Sequence, residues 1–162
     1  MNKLKLTLLQ RKIFSLLCVN AGKEINARGI ALELRVSQPA VSKSLPLLEK
    51  EELIKVSKDK NSKRLSIELN RDNHEVVWLK RADNFKQLYD SGFVQMLYDN
   101  FQSATIVLFG SYAFGEDTTK SDIDIAIIGA KQKQIKLDEF EKKLDRKIFL
   151  HYFKSFKDID NN

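Results

Sequence analysis

The stretch Thr105-Ile-Val-Leu-Phe-Gly-Ser-Tyr-Ala-Phe-Gly-Glu-Asp-Thr-Thr-Lys-Ser-Asp-Ile-Asp-Ile-Ala-Ile-Ile128 decides how the second half of the chain is read. An apolar strand, Ile106 to Phe109, runs straight into Gly110-Ser111. Ten residues separate Ser111 from Asp122, and Asp124 follows two positions later in a second apolar strand. Side chains alternate along a strand, so Asp122 and Asp124 share one face while Ile123 and Ile125 take the other. Two neighbouring carboxylates repel each other unless a cation lies between them. Oxygen-rich pairs suit magnesium, which keeps several waters and shares its shell with substrate phosphates. Gly110 lets a phosphate approach the backbone closely. Ser111 offers a hydroxyl and an amide at an expected helix N-terminus, where anions are stabilised. A triphosphate held at Gly110-Ser111 and bridged by metal to Asp122 and Asp124 would have its α-phosphorus ready for in-line attack.

This glycine-serine, ten-residue, Asp-x-Asp arrangement resembles the minimal nucleotidyltransferases of the DNA polymerase β superfamily over about residues 104–153, including Ser121 before Asp122. The resemblance implies a triphosphate grip at Gly110 and Ser111. It also implies that Asp122 and Asp124 are the catalytic residues and the ligands of Mg2+, with a nucleoside triphosphate as substrate or ligand. Active members carry a third carboxylate on a later strand, which helps hold metal and receives the attacking hydroxyl's proton. In this chain a helix around Leu137, Phe140 and Leu144 precedes a strand near Ile148-Phe-Leu-His-Tyr-Phe153. Aligning that approach puts Phe149 where the acid is expected. Asp145 lies just ahead of the strand, and His151 lies on Phe149's face.

Upstream, residues 7–70 read as three helices and a hairpin. Leu9, Ile13, Leu16 and Leu17 recur at helical spacing behind a capping Thr7, and Gly22 stops that helix. Asn26 caps a second helix carrying Ile30, Ala31 and Leu34. Ser37 caps a third, with Pro39 in its first turn and a buried stripe of Val41, Leu45 and Leu48. Pro46 removes a donor inside this helix and is expected to kink it. Two alternating strands follow, Ile54 and Val56, then Leu65, Ile67 and Leu69, around a polar turn. That order is a winged helix. The stretch Val36-Ser-Gln-Pro-Ala-Val-Ser-Lys-Ser-Leu-Pro-Leu-Leu-Glu-Lys-Glu-Glu-Leu-Ile54 also resembles the recognition-helix segment of MarR/ArsR-type regulators. Short polar side chains on such a helix can reach base edges and phosphates of double-stranded DNA. Ser37, Gln38, Ser42 and Lys43 are assigned to that face. Lys58, Lys60, Lys63 and Arg64 at the hairpin tip have the charge to lie along a phosphate backbone.

Between the two modules, residues 74–101 read as one or two helices with a break near Ser91-Gly92, where Gly92 is expected to act as a hinge. Trp78, Ala82, Phe85 and Tyr89 recur at helical spacing and are expected to be ordinary core. A helix after a wing commonly carries a dimer contact, which points to a homodimer.

The charge distribution fits two modules. Of a net charge of +6, residues 1–70 carry +7 (14 Lys+Arg, 7 Asp+Glu) and residues 71–162 carry −1 (14 and 15). A basic module favours a polyanion by releasing its counterions. One cysteine, Cys18, excludes an internal disulfide and a cysteine-rich zinc site. No apolar run approaches the roughly 20 residues needed to span a bilayer, and no secretion signal opens the chain, so a soluble, cytoplasmic protein is expected.

The expected fold class is α+β: a winged helix-turn-helix domain at 1–71, a helical connector at 72–102, and a minimal nucleotidyltransferase-like domain with a mixed sheet at 103–162. Three functions compete. The first is a magnesium-dependent nucleotidyltransferase addressed to DNA, for which the resemblance raises a protein acceptor such as a HEPN-type toxin and an antitoxin role. The second is a transcription regulator whose transferase-like half has lost chemistry and binds a nucleotide or a partner. The third is an adaptor gripping proteins with both modules. The first two separate at the side chain that the last strand turns toward Asp122 and Asp124.

Overall fold

The computed structural model describes residues 5–58 and 65–159. It is mixed α+β, with two three-stranded sheets, and the chain divides into two compact units between Lys80 and Arg81.

In the first unit, α1 (Leu8–Val19) opens with a reciprocal cap: Thr7 Oγ1 accepts from the Gln10 amide, and the Gln10 side chain accepts from the Thr7 amide. Such caps are worth about 1 kcal/mol each. A two-residue strand β1 (Ile25–Asn26) leads into α2 (Ala27–Leu34), capped by Asn26. Arg35 adopts a left-handed conformation, turning the chain into α3 (Gln38–Lys50), which Ser37 caps. Ile13, Leu17, Ile30, Val41, Leu45 and Leu48 close a common core with Leu53, Ile67 and Leu69. Strands β2 (Ile54–Lys58) and β3 (Leu65–Leu69) form the hairpin. The short β1 adds to β3 by pairing Ile25 with Ile67, giving the order β1-β3-β2. Sequence pattern missed β1 because two residues carry no period.

α3 continues through Pro46 to Lys50. The missing proline N–H frees the Ser42 carbonyl, but Ser42 and Pro46 both lie on the exposed face. There water can take the lost hydrogen bond, so the helix is not broken.

Helix α4 (His74–Asp90) contains the division between the units. The expected core stripe is on its outside: Trp78 is 74%, Phe85 59% and Tyr89 69% exposed, and Ala82 is exposed too. The buried positions are Val76, Lys80, Asn84 and Leu88, four residues apart. Apolarity alone chose the wrong face, because two of the four inward positions are polar.

In the second unit, α5 (Phe93–Asn100) follows a left-handed Gly92. Leu88, Phe93, Leu97 and Phe101 all join one core. Gly92 therefore bends the chain inside this unit rather than between the two. Strand β4 (Thr105–Phe109), the short helix α6 (Gly110–Phe114), β5 (Ile123–Ile128), α7 (Asp138–Leu144) and β6 (Ile148–Phe153) complete it, ahead of a single 3-10 turn at Phe156–Asp158. The sheet is mixed, as expected: β5 is central, antiparallel to β4 and parallel to β6. Ile123, Ile125, Ile127 and Ile148 face the core. The opposite face is open, with Val107, Phe109 and Phe149 at 37%, 37% and 49% exposure.

Candidate functional site

Strand register sets the Gly110 turn beside Asp124 in the second unit. Asp124 pairs with Phe109, the last residue of β4, so the Gly110 turn stands beside it. Gly110 has φ +74, a left-handed conformation that side chains disfavour. A Cβ there would lie 2.9 Å from Asp124 Oδ2, so glycine is required twice, by the backbone and by the carboxylate. Ser111 is half-buried next to it. Helix α6 has only five residues. Its dipole is accordingly short, and any hold on phosphate rests on the amides and hydroxyl of Gly110 and Ser111 themselves.

Asp122 sits immediately before β5 and is exposed, while Asp124, within the strand, is half-buried. The loop carrying Asp122 is braced locally: Ser121 Oγ accepts from the Thr118 amide at 3.0 Å, and the Ser121 amide donates to the Thr118 carbonyl at 3.0 Å. Ser121 therefore holds the loop that delivers Asp122.

Beneath that loop lies a polar network that sequence reasoning did not find. Asn84 Nδ2 donates to the Tyr112 carbonyl at 2.9 Å and to Asp117 Oδ1 at 2.7 Å, and Tyr112 donates its hydroxyl to the Asn84 carbonyl at 3.3 Å. Arg146 lies 3.7 Å from Asp117, with both side chains almost fully buried. The network ties α4 and α6 to the loop and to the entry of β6. Asp117 stands in a run of polar residues, Glu116 to Ser121, that reads as a solvated loop, so its burial had no sequence signal.

The last strand answers the question of the third acid. Phe149 pairs with Asp124 across the parallel ladder and turns an exposed ring to the open face. Two positions on, His151 places Nε2 3.0 Å from Asp124 Oδ1, and its ring packs edge-on against Phe109 at 5.1 Å. Asp145 is the left-handed residue closing α7. It lines, with Asp122, Ser121, Arg146 and Lys147, a charged cleft of about 500 Å³. At the rim of that cleft Glu141 accepts from the Ile148 amide at 3.1 Å and pairs with Lys147 at 2.6 Å. Lys147 and the Ile148 amide together hold the Glu141 carboxyl below its ordinary value.

Asp122 and Asp124 suit a hard dication that completes its shell from phosphate oxygens and water. A side chain at Gly110 would crowd Asp124 Oδ2. Among the described residues, no group of three or more His, Cys, Asp or Glu is arranged to hold a metal ion by itself.

In the first unit Ser37, Gln38, Ser42 and Lys43 are all exposed, from the cap of α3 through its second turn. Lys58 is exposed at the end of β2. Lys60, Lys63 and Arg64 lie outside the described residues. Among the described residues no helix is long and apolar enough to cross a membrane.

Residues 91–160 match the family model of the nucleotidyltransferase domain. Solved structures similar to the chain include the adhesin competence repressor of Streptococcus pyogenes, 22% identical over 60% of this chain and 69% of that one, with a TM-score of 0.46. Another is ZitR of Lactococcus lactis, a zinc-responsive MarR family member, 29% identical over 63% and 67% of the two chains, with a TM-score of 0.44. Wild-type ZitR in complex with DNA is 26% identical over 62% and 65%, with a TM-score of 0.46. No curated protein sequence matches the chain.

Proposed function

We propose that the chain is a winged-helix DNA-binding protein whose C-terminal domain, at residues 103–162, is a magnesium-dependent nucleotidyltransferase. Gly110 and Ser111 hold the triphosphate, and Asp122 and Asp124 hold Mg2+ and carry the chemistry. The observation that carries this reading is the fit of Gly110 against Asp124 Oδ2, where a Cβ would stand 2.9 Å from the carboxylate. A side chain there would crowd the acid, which supports a turn whose backbone must come close to its neighbours. The bound metal would neutralise charge on the transferring phosphoryl group. The chain's own part is to orient Asp124 from the β5 register and Asp122 from the braced loop. The acceptor is a hydroxyl, and a protein such as a HEPN-type toxin is the acceptor that an antitoxin role requires.

A second reading is favoured by Phe149. An aromatic ring at the expected third-acid position supplies no oxygen for metal or proton. In that case the domain binds a nucleotide or a partner without transfer, and the chain is a transcription regulator.

For the first unit, Ser37, Gln38, Ser42 and Lys43 enter the major groove, and Lys58, Lys60, Lys63 and Arg64 follow the phosphates. The exposed aromatic side chains of α4, Trp78 in the first unit and Phe85 and Tyr89 in the second, are each available to a homodimer contact, and a cytoplasmic location suits an operon regulator.

The deciding experiment incubates the full chain and its Asp122→Ala/Asp124→Ala variant with labelled nucleoside triphosphates and Mg2+. Metal-dependent label transfer by the wild type alone supports the enzyme. Metal-dependent binding without transfer supports the regulator. Neither transfer nor binding by the wild type removes both readings of this domain.

A further inference from the structure

Resting on the nucleotidyltransferase reading, we infer that His151 is a positioning residue for Asp124. It donates from Nε2 to Asp124 Oδ1 and holds the carboxylate so that Oδ2, on the side of the Gly110 turn, is the oxygen offered to a Mg2+-triphosphate. The bond is 3.0 Å long. An ionised carboxylate accepts and does not donate, so the proton of this bond lies on Nε2. His151 therefore acts on the acid and is not itself a metal ligand.

Register and packing explain why His151 can do this. Phe149 is the Cα partner of Asp124 on β6, and His151, two positions on, shares its face of the sheet. The partner of His151 is Ala126, which carries only a methyl, so the imidazole reaches diagonally to Asp124. On the other side Phe109, the Cα partner of Asp124 on β4, packs its ring edge-on against the imidazole at 5.1 Å and restrains its plane. The two oxygens of Asp124 thus have different neighbours, Oδ1 the imidazole and Oδ2 the Gly110 turn. A carboxylate without such a bond turns readily about its last torsion and exchanges its oxygens. The side chains of His151 and Asp124 stay 41% and 30% exposed, so the acid is held without being sealed from solvent. Phe149 has no donor and cannot supply this restraint.

The chain has two histidines, His74 and His151. In the metal-free, full-length His74→Gln background, ring-15N spectra report His151 alone. Asp124→Ala should there shift the protonated Nε2 resonance. In titrations with a non-hydrolysable nucleoside triphosphate and Mg2+, His151→Ala should lower affinity by about tenfold or more, the usual cost of losing the partner that orients a metal ligand. His151→Gln, whose amide can donate in place of Nε2, should recover most of that affinity, and thermal unfolding should show both variants folded. An Nε2 resonance indifferent to Asp124→Ala, undiminished affinity in His151→Ala, or a Gln variant as weak as the Ala variant would each overturn the inference. The first and third of these readouts stand even if His151→Ala fails to fold, because a folded Gln variant is compared with wild type. Failure of the parent reading looks different: Mg2+-triphosphate binding would then survive Asp124→Asn, while the Nε2 resonance still answers to Asp124→Ala.

Discussion

The two units present their candidate residues in opposite ways. In the first, Ser37, Gln38, Ser42 and Lys43 project from the exposed side of a helix whose other side is held by Val41, Leu45 and Leu48. Apart from the Ser37 cap on α3, this surface can be altered without touching the core. In the second, Asp124 lies within the central strand, its Oδ2 close enough to the Gly110 turn to exclude a Cβ and its Oδ1 on His151. The loop bearing Asp122 rests over a buried Asn84-Asp117-Arg146 network. A surface suited to a regular polyanion can be an exposed helix side, whereas positioning one phosphorus and one metal needs a site whose parts constrain each other. Changes at the first surface should therefore weaken binding in small, additive steps. Changes at the second should cost stability and binding together.

The largest effect that would sharpen this contrast is at Asp117. Replacing it with Ala leaves Arg146 buried without its carboxylate, and such a loss costs about 3–5 kcal/mol. Thermal or denaturant unfolding of Asp117→Ala should show a second unit destabilised to that degree, while Lys43→Ala unfolds like the wild type. Next comes Gly110→Ala. A non-glycine residue in the left-handed region costs roughly 1–2 kcal/mol, and the added methyl also displaces Asp124 Oδ2. Denaturant unfolding should show that loss, and titration with a nucleoside triphosphate and a divalent cation should show weakened binding because Asp124 Oδ2 is displaced. Duplex affinity should not change. Normal triphosphate binding by the Gly110→Ala variant would break the contrast.

The first unit should respond in smaller steps. If Lys43 contacts one phosphate, Lys43→Ala lowers the slope of log affinity against log salt by about 0.9. Unaltered duplex affinity after joint replacement of Lys43, Lys60 and Arg64 would remove the DNA role.

The smallest effect concerns Glu141. Its carboxyl is held below the ordinary value of 4.5 by Lys147 and the Ile148 amide. A group lowered in the folded state stabilises above its unfolded pKa and loses that contribution as pH falls through the folded one. Wild type should thus lose stability on acidification below about pH 4.5 more steeply than Glu141→Gln, with the two curves parallel near neutrality.

These differences also explain what could be read from the chain. The helices and hairpin of the first unit were legible because each buries a single apolar stripe at its own period, as Val41, Leu45 and Leu48 do on α3. Strand β5 and the turn at Gly110 were legible because an apolar run bounded by polar residues reads as a buried strand and a glycine marks a turn. The α4 face was misread because Lys80 and Asn84 are buried while Trp78, Phe85 and Tyr89 are exposed. Periodicity places residues on faces but cannot say which face a polar network will hold inward. The Asp117–Arg146 pair, separated by 29 positions in the chain, and the pairing of His151 with Asp124 depend on strand register and loop closure. Neither property is local to the sequence around those residues.

The central claim is that the Gly110-Ser111 turn and the two aspartates form a metal-dependent triphosphate site. Calorimetric titration of a non-hydrolysable nucleoside triphosphate, with and without Mg2+, into wild type and Asp122→Asn/Asp124→Asn tests it most directly. Binding should require the cation and disappear in the double variant while the fold, followed by circular dichroism, is retained. Equal affinity without a divalent cation, or in the double variant, would contradict it.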